Sequence, residues 1–403
     1  MALQARQTSS FRDRPLDQPA APIRWLFSFA PIRSYKRLVL LGLMFLAFYS
    51  PGHASDNASV VGINLTHPLQ LSLADQNTTL AALHASGVRV IRIGLYAPDL
   101  DKGVDFMKRA YAQNIRVLLT VHSQYAPNAP IRPYQPKEFP GMWQGPPLSA
   151  VDPDLSQHFF QQLLDKLDAE GVVLAALELE NEINHPGFNA EFKLPGEGKN
   201  FSLDDLYHDP EGQQIAKGYL QYLKVLAVLK QVRDRSKVNQ RTPLITAGLS
   251  NTGPEGPWNK KFDAVSIAAT IKFFRANGVD KLVEGYGVHT YPWADSPGDR
   301  AAGIHRLRRM EQLDLSECYP AGSPPGKPCW ITEWGFTNTG TACPSDETTR
   351  TPLVEEMMGD FRQLARDRRV QGLMYYTWSG DRVWDVYRCG GLTEPGKLSI
   401  QPL

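Results

Sequence analysis

The chain has 403 residues, 42% of them hydrophobic and 21% charged, with a formal net charge of +1. This is a globular composition: disorder would need fewer apolar residues, and a collagen far more than the 32 glycines present. A balance so near zero gives no electrostatic basis for a nucleic-acid partner. The basic excess is also local, since residues 1–54 carry 7 Lys/Arg against 2 Asp/Glu and the other 349 carry 36 against 40.

Arg33, Lys36 and Arg37 precede an apolar run of twelve residues from Leu38 to Tyr49, followed by Ser50, Pro51, Gly52, His53 and Ala54. A basic flank, an apolar core and a small-x-small site read as a secretory signal cut near Ala54. The run falls short of the roughly 20 residues that span a bilayer. The expected organisation is a leader over 1–54 and one working domain over 55–403. That domain is expected to be secreted or periplasmic, without stable membrane insertion; an uncleaved anchor is the alternative. Cys318, Cys329, Cys343 and Cys389 all lie in the last quarter of the chain. An even number in an exported protein predicts two disulfides among three possible pairings. Cys318 and Cys329 flank a short Pro/Gly-rich loop, which favours Cys318–Cys329 with Cys343–Cys389. No CxxC or His/Cys grouping suggests zinc, and no cofactor is called for.

In chain order, β-branched runs predict strands over 60–64, 88–94, 115–121, 172–179, 243–247, 283–290, 328–332 and 370–377. Apolar residues at three-to-four spacing predict helices over 73–86, 103–113, 154–170, 213–235, 265–276, 301–313 and 352–369. The alternation argues for a parallel sheet with crossover helices, and eight strands in this length fit an α/β (β/α)8 TIM barrel. After the last strand only a Gly/Pro-rich tail remains, so the last helix is short or missing. The loops over 123–152 and 183–212 follow the third and fourth strands, and long loops at that face of a barrel are expected to wall a cleft.

Trp143, Trp258, Trp293, Trp334, Trp378 and Trp384 fall just after predicted strands, and Trp330 within one. Flat apolar faces with a polar edge suit the C–H faces of a sugar ring. Two carboxylates also stand at strand ends, in Glu178-Leu179-Glu180-Asn181-Glu182 and in Trp330-Ile331-Thr332-Glu333-Trp334-Gly335. A barrel brings both to one rim, and two rim carboxylates are what glycoside hydrolysis needs.

These motifs resemble clan A glycoside hydrolases. Asn181-Glu182, Ile331-Thr332-Glu333-Trp334-Gly335 and His289-Thr290-Tyr291 match the clan's motifs in order. Arg92, His122 and Trp378 match the cellulase-like family 5, with family 39 as a close alternative. The resemblance covers nearly the whole chain after the leader. It implies a retaining β-glycosidase that hydrolyses O-glycosidic bonds of a β-linked oligo- or polysaccharide, endo-acting, with Glu182 as acid/base and Glu333 as nucleophile. Asn181 would hold the sugar 2-hydroxyl, and Tyr291 and Arg92 would orient Glu333. His289, His122 and Trp334 would line the reactive subsite, and Trp378 would form its floor. Arg92 could equally be an interior partner for Glu178. The chain departs from the pattern in having Ile183 after Glu182, and in carrying Glu180, a further carboxylate expected to push Glu182 up.

Two other classes compete. One is a metal-dependent barrel hydrolase or isomerase with His122, Glu182, His289 and Glu333 as ligands; its first strand supplies only His67 where such barrels commonly begin with two ligand histidines. The other is a non-catalytic carbohydrate-binding barrel, against which the presence of both Glu182 and Glu333 argues.

Overall fold

The computed structural model describes residues 59–132, 142–251, 262–291, 308–324, 326–338, 340 and 342–403. The leader, Trp258, Trp293 and positions 301–307 of one predicted helix lie outside the described residues.

The strands are β1 (Val60–Asn64), β2 (Val90–Leu95), β3 (Arg116–Val121), β4 (Ala176–Leu179), β5 (Leu244–Ile245), β6 (Leu249–Ser250), β7 (Tyr286–His289), β8 (Cys329–Trp334) and β9 (Val370–Tyr375). Between them run α1 (Leu73–Ala85), α2 (Leu100–Ala112), α3 (Pro153–Glu170), α4 (Pro210–Arg233), α5 (Ile267–Ala276) and α6 (Arg350–Arg366). The pairings of this main sheet are all parallel, in the order β5-β4-β3-β2-β1-β9-β8-β7-β6, while two small sheets stand apart, Asn200–Phe201 with Ala264–Val265 and the antiparallel pair Tyr387–Arg388 with Gly391–Leu392. β5 and β6 are two pieces of one extended stretch, which the bridges Asn181–Gly248 and Ile245–Gly285 tie to the chain after β4 on one side and before β7 on the other. The ring therefore closes on itself with eight strand positions, which is a (β/α)8 barrel. After β9 come the short antiparallel pair Tyr387–Arg388 with Gly391–Leu392 and a single six-residue helix, α7 (Glu394–Ser399).

Local chemistry sets the helix ends. The Ser72 hydroxyl accepts from Asp75 N at the start of α1, and Ser266 from Ala269 N at the start of α5. Asp152 and Asp209 cap α3 and α4, each followed by a proline at the first helical position. α3 ends at Gly171 with φ 65°, a left-handed position that favours glycine. The predicted strand over 172–179 shortens to β4 because Leu174 N donates to the Asn239 side chain, outside the sheet ladder.

Strand alternation sorts the interior into layers. Val90, Leu118, Ala176, Ile245, Trp330 and Met374 form an apolar cluster separate from the main core. The Trp330 ring takes the space beside Gly372, where a Cβ would collide with it. Two residues further along the same strands come Arg92, Thr120, Glu178 and Thr332, a polar layer resting on the apolar one. The outward faces pack under the helices: Trp334 meets Phe361 of α6 with ring centroids 4.9 Å apart. The disulfides are Cys318–Cys329 and Cys343–Cys389, with Cα atoms 5.3 and 5.7 Å apart. Among the described residues no helix is long and apolar enough to cross a membrane.

Candidate active site

Glu333 sits where β8 breaks register against both neighbours after Ile331. Such an irregularity re-aims a side chain: here Thr332 and Glu333 both serve the interior while Trp334 turns outward. The Glu333 carboxylate accepts from Arg92 Nη1 at 2.6 Å on one oxygen and from the Tyr291 hydroxyl at 2.6 Å on the other. Arg92 is itself engaged at all three nitrogens. Its Nε donates to Glu178 at 2.7 Å, Nη1 also reaches Asn64 Oδ1 at 3.0 Å, and Nη2 reaches Asn181 Oδ1 at 2.7 Å. Burial works against the guanidinium charge, but Glu178 and Glu333 outweigh it and raise its pKa further. Glu178 in turn accepts from the Thr120 and Thr332 hydroxyls at 2.6 and 2.8 Å. The two readings of Arg92 are thus one arrangement: it is the interior partner of Glu178 and the clamp on Glu333.

The end of β4 carries two non-glycine residues in the left-handed region, Glu180 at φ 64° and Glu182 at φ 44°. Such positions cost on the order of 1–2 kcal/mol each and gather at functional sites. They turn the two carboxylates apart. Glu180 accepts from the Ser123 backbone N–H at 2.6 Å and pairs with His122 Nδ1 at 2.9 Å. Glu182 instead meets two imidazoles: His289 Nδ1 lies 2.8 Å from Oε1 and His185 Nε2 lies 2.9 Å from Oε2. Burial pushes the Glu182 carboxyl up, but hydrogen bonds from His185 and His289 outweigh it and hold the group well below the usual carboxylate range. The expectation that Glu180 raises Glu182 is therefore corrected. His289 is wedged against Gly248, where a Cβ would collide with its ring. Its Nδ1 also stands 3.5 Å from Glu333 Oε2.

Arg92, His122, Asn181, Glu333 and Tyr376 line a chamber of about 220 Å³, walled on one side by the loop from Thr66 to Gln70. Five expected residues are absent from its lining: Glu182, His289 and Tyr291, which stand around Glu333 instead, and two tryptophans that lie in the packing. Trp334 is 0% exposed, enclosed by Phe361 and Tyr375 on the outside of the barrel. Trp378 is 1% exposed and stacks on Tyr387 at 4.4 Å. Both are core residues: the register break in β8 turns Trp334 out under the helices, and the turn after β9 packs Trp378 against Tyr387. Tyr376 takes the position expected of Trp378, with Trp384 and Tyr291 edge-on around it. The signal that could have found Tyr376 was present in the sequence, since it too follows the last strand. His185 was missed because nothing at the sequence level marks a histidine three residues past Glu182.

The two long loops do line a cleft. Arg132 ties them together, donating to the Trp143 and Pro186 carbonyls at 2.6 and 2.9 Å. Glu182, His289 and Glu333 place ligand-type atoms within 4.8 Å of one another. The four-residue metal set of the competing reading is nevertheless not assembled, because His122 is paired with Glu180. Glu333 is occupied by Arg92, and a permanent cation 2.6 Å from a would-be ligand opposes a second one.

No protein-family model matches the chain, and no curated protein matches it in sequence. Solved structures with a similar backbone include a family 5 xyloglucanase from Paenibacillus pabuli, at 12% identity over 86% of this chain and 99% of that one, with TM-score 0.47. An endoglucanase from Pseudomonas stutzeri in complex with cellobiose is 13% identical over 85% and 94%, with TM-score 0.47. An endo-1,4-β-mannanase from Rhizomucor miehei is 12% identical over 80% and 86%, with TM-score 0.44. Likenesses this distant carry neither activity nor substrate to this chain, and the barrel assignment rests on its own strand pairing.

Proposed function

We propose that this protein is a secreted retaining β-glycosidase of the cellulase-like kind, endo-acting on a β-linked polysaccharide. The reading is carried by Glu182 and Glu333, whose carboxylate oxygens approach within 4.8 Å at one rim of the barrel. Retaining enzymes hold the two groups about 5–5.5 Å apart and inverting ones roughly 6.5–9.5 Å, to admit a water between them. A separation this small favours direct attack by a carboxylate.

Glu333, fixed through both oxygens by Arg92 and Tyr291, attacks the anomeric carbon. Glu182 passes a proton to the departing oxygen, leaving a glycosyl ester on Glu333. Glu182, now ionised, takes a proton from water as that water cleaves the ester. The His185 and His289 hydrogen bonds favour the ionised Glu182 of this second step, and they place the protonated form needed for the first step toward acid pH. With its carbonyl oxygen held by Arg92, Asn181 would present its amide NH₂ to a sugar hydroxyl. Two disulfides fit an oxidising compartment.

The test is hydrolysis of a panel of β-linked glucans, mannans and galactans, with product lengths recorded. Internal cleavage with retained anomeric configuration is expected. Failure to cleave any of them would overturn the reading, and release of single end sugars alone would overturn endo action.

A further inference from the structure

A second cavity of about 180 Å³ lies beside the main chamber, sharing Tyr96, His122 and Phe188 with it. Ligand cavities for drug-sized molecules run about 300–1,000 Å³, so this one suits a single ring or a side group. Tyr96, Tyr125, Trp143 and Phe188 form its aromatic walls. The Tyr96 ring lies flat on His122, with centroids 3.9 Å apart and planes 4° from parallel. Within these walls sits the Glu180 carboxylate, only 8% exposed. It holds two hydrogen bonds, from Ser123 N and His122, and a carboxylate offers about four acceptor positions. Among the described residues no Lys or Arg lines the cavity. Ser123, 5% exposed, also lines it, and its hydroxyl lies buried just behind that lining with no hydrogen-bond partner.

A buried carboxylate without a permanent cation and a buried hydroxyl without a partner are both costly to leave so. Aromatic faces around them attract a cation. Taking the glycosidase reading as its premise, we propose that this cavity is a side subsite for an amino sugar, with the protonated amine held by Glu180 and Ser123 Oγ among the aromatic faces. The substrate class is then a β-glycan bearing free amino groups, the aminated residue lying next to the sugar in the main chamber. A neutral sugar would leave His122 as the one side chain in the described lining able to face Glu180 with a positive charge.

The experiment uses the full chain with Glu333→Gln, which stops turnover. It is titrated calorimetrically with β-1,4-linked oligomers of glucosamine, of N-acetylglucosamine and of glucose, equal in length and at near-physiological salt. The glucosamine oligomer is expected to bind at least about tenfold tighter than the other two. Adding Glu180→Gln should abolish that preference, bringing the glucosamine and glucose oligomers to within about twofold of each other in the same variant. Adding Ser123→Ala, a smaller change less able to disturb folding, should reduce the preference several-fold. Equal binding of all three oligomers, or a preference that survives Glu180→Gln, would overturn the subsite. The outcome is separable from the glycosidase reading, which stands or falls on hydrolysis by the wild-type chain: an amine preference without hydrolysis keeps the subsite and removes the enzyme.

Discussion

His185 Nε2 lies 2.9 Å from Glu182 Oε2, while His185 Nδ1 accepts the Gly187 N–H at 3.1 Å. The accepting Nδ1 carries no proton, so Nε2 does, and His185 is a donor to Glu182. It is a positioning residue that favours the charged carboxylate. His185→Ala should therefore raise the Glu182 pKa and move the alkaline limb of the kcat/KM–pH profile upward by about one unit. His185→Gln keeps a donor and should restore part of the shift. A variant that loses rate with both limbs unmoved would make His185 merely structural.

The two carboxylates should part in their mutant phenotypes. Glu333→Gln should abolish turnover of every substrate. Glu182→Ala should spare the first step for substrates with an activated leaving group, and added azide should rescue the second by attacking without base help. Product NMR before mutarotation gives the anomer directly, and an inverted product would remove Glu333 as nucleophile.

Tyr376 and Trp378, two residues apart, should behave oppositely. Trp378 is enclosed, and Trp378→Ala should cost about 3–5 kcal/mol of stability. Tyr376 lines the chamber, and Tyr376→Ala should cost about 1–3 kcal/mol in kcat/KM, by analogy with other aromatic stacking sites. Melting temperatures beside kinetics for both variants check this. A Trp378→Ala protein that is stable but slow would put its ring back against substrate.

Asp314 ends the π-helical turn Met310–Asp314 and accepts from Thr290 Oγ1 at 2.8 Å and Asn251 Nδ2 at 3.1 Å. Burial raises its pKa to about 6, against the lowering effect of those two donors and of Arg309. A pKa raised on folding adds stability below the unfolded value near 4, and that stability is lost as pH rises through about 6. Both donors meet one oxygen, which an amide can replace. Asp314→Asn should accordingly gain stability over wild type at neutral pH, by up to about 3 kcal/mol, and the gain should shrink near pH 4. Chemical denaturation at both pH values measures it; an advantage equal at the two would contradict the sign.

Mass mapping without reductant should find both disulfides and no free thiol. Their sequence separations are 11 and 46 residues. Chain entropy gives about 3 and about 4 kcal/mol for loops of these sizes. Replacing the Cys343–Cys389 pair by serines should thus lower the denaturation midpoint more than replacing Cys318–Cys329.

The barrel was legible in the sequence because period-two and period-3.6 hydrophobicity alternate along the chain; Glu182, Glu333, Asn181, His289 and Tyr291 stood out because they lie at or near strand ends, and Arg92, inside β2, only through the motif resemblance. What was not legible depends on backbone direction. Glu180 and Glu182 are two apart and would share a face on a regular strand, but left-handed φ values turn one toward His122 and the other toward His185 and His289. Trp334 follows Glu333 across a register break, so its direction could not be counted from Trp330. The fifth strand position splits around Thr246–Gly248, a break that composition does not signal.

The seam between β1 and β9 pairs Val60 with Gly372, and Asn64 Nδ2 crosses it to the Thr332, Met374 and Tyr375 carbonyls. The first strand to leave the ribosome must therefore wait for nearly the last. Until it arrives, β1 has one open edge, and Arg92 approaches Glu178 without the Glu333 side of its clamp. Closing so long a loop is slow and exposes a strand edge to wrong pairing. Truncation anywhere before Tyr375 should yield an aggregating chain rather than a smaller barrel.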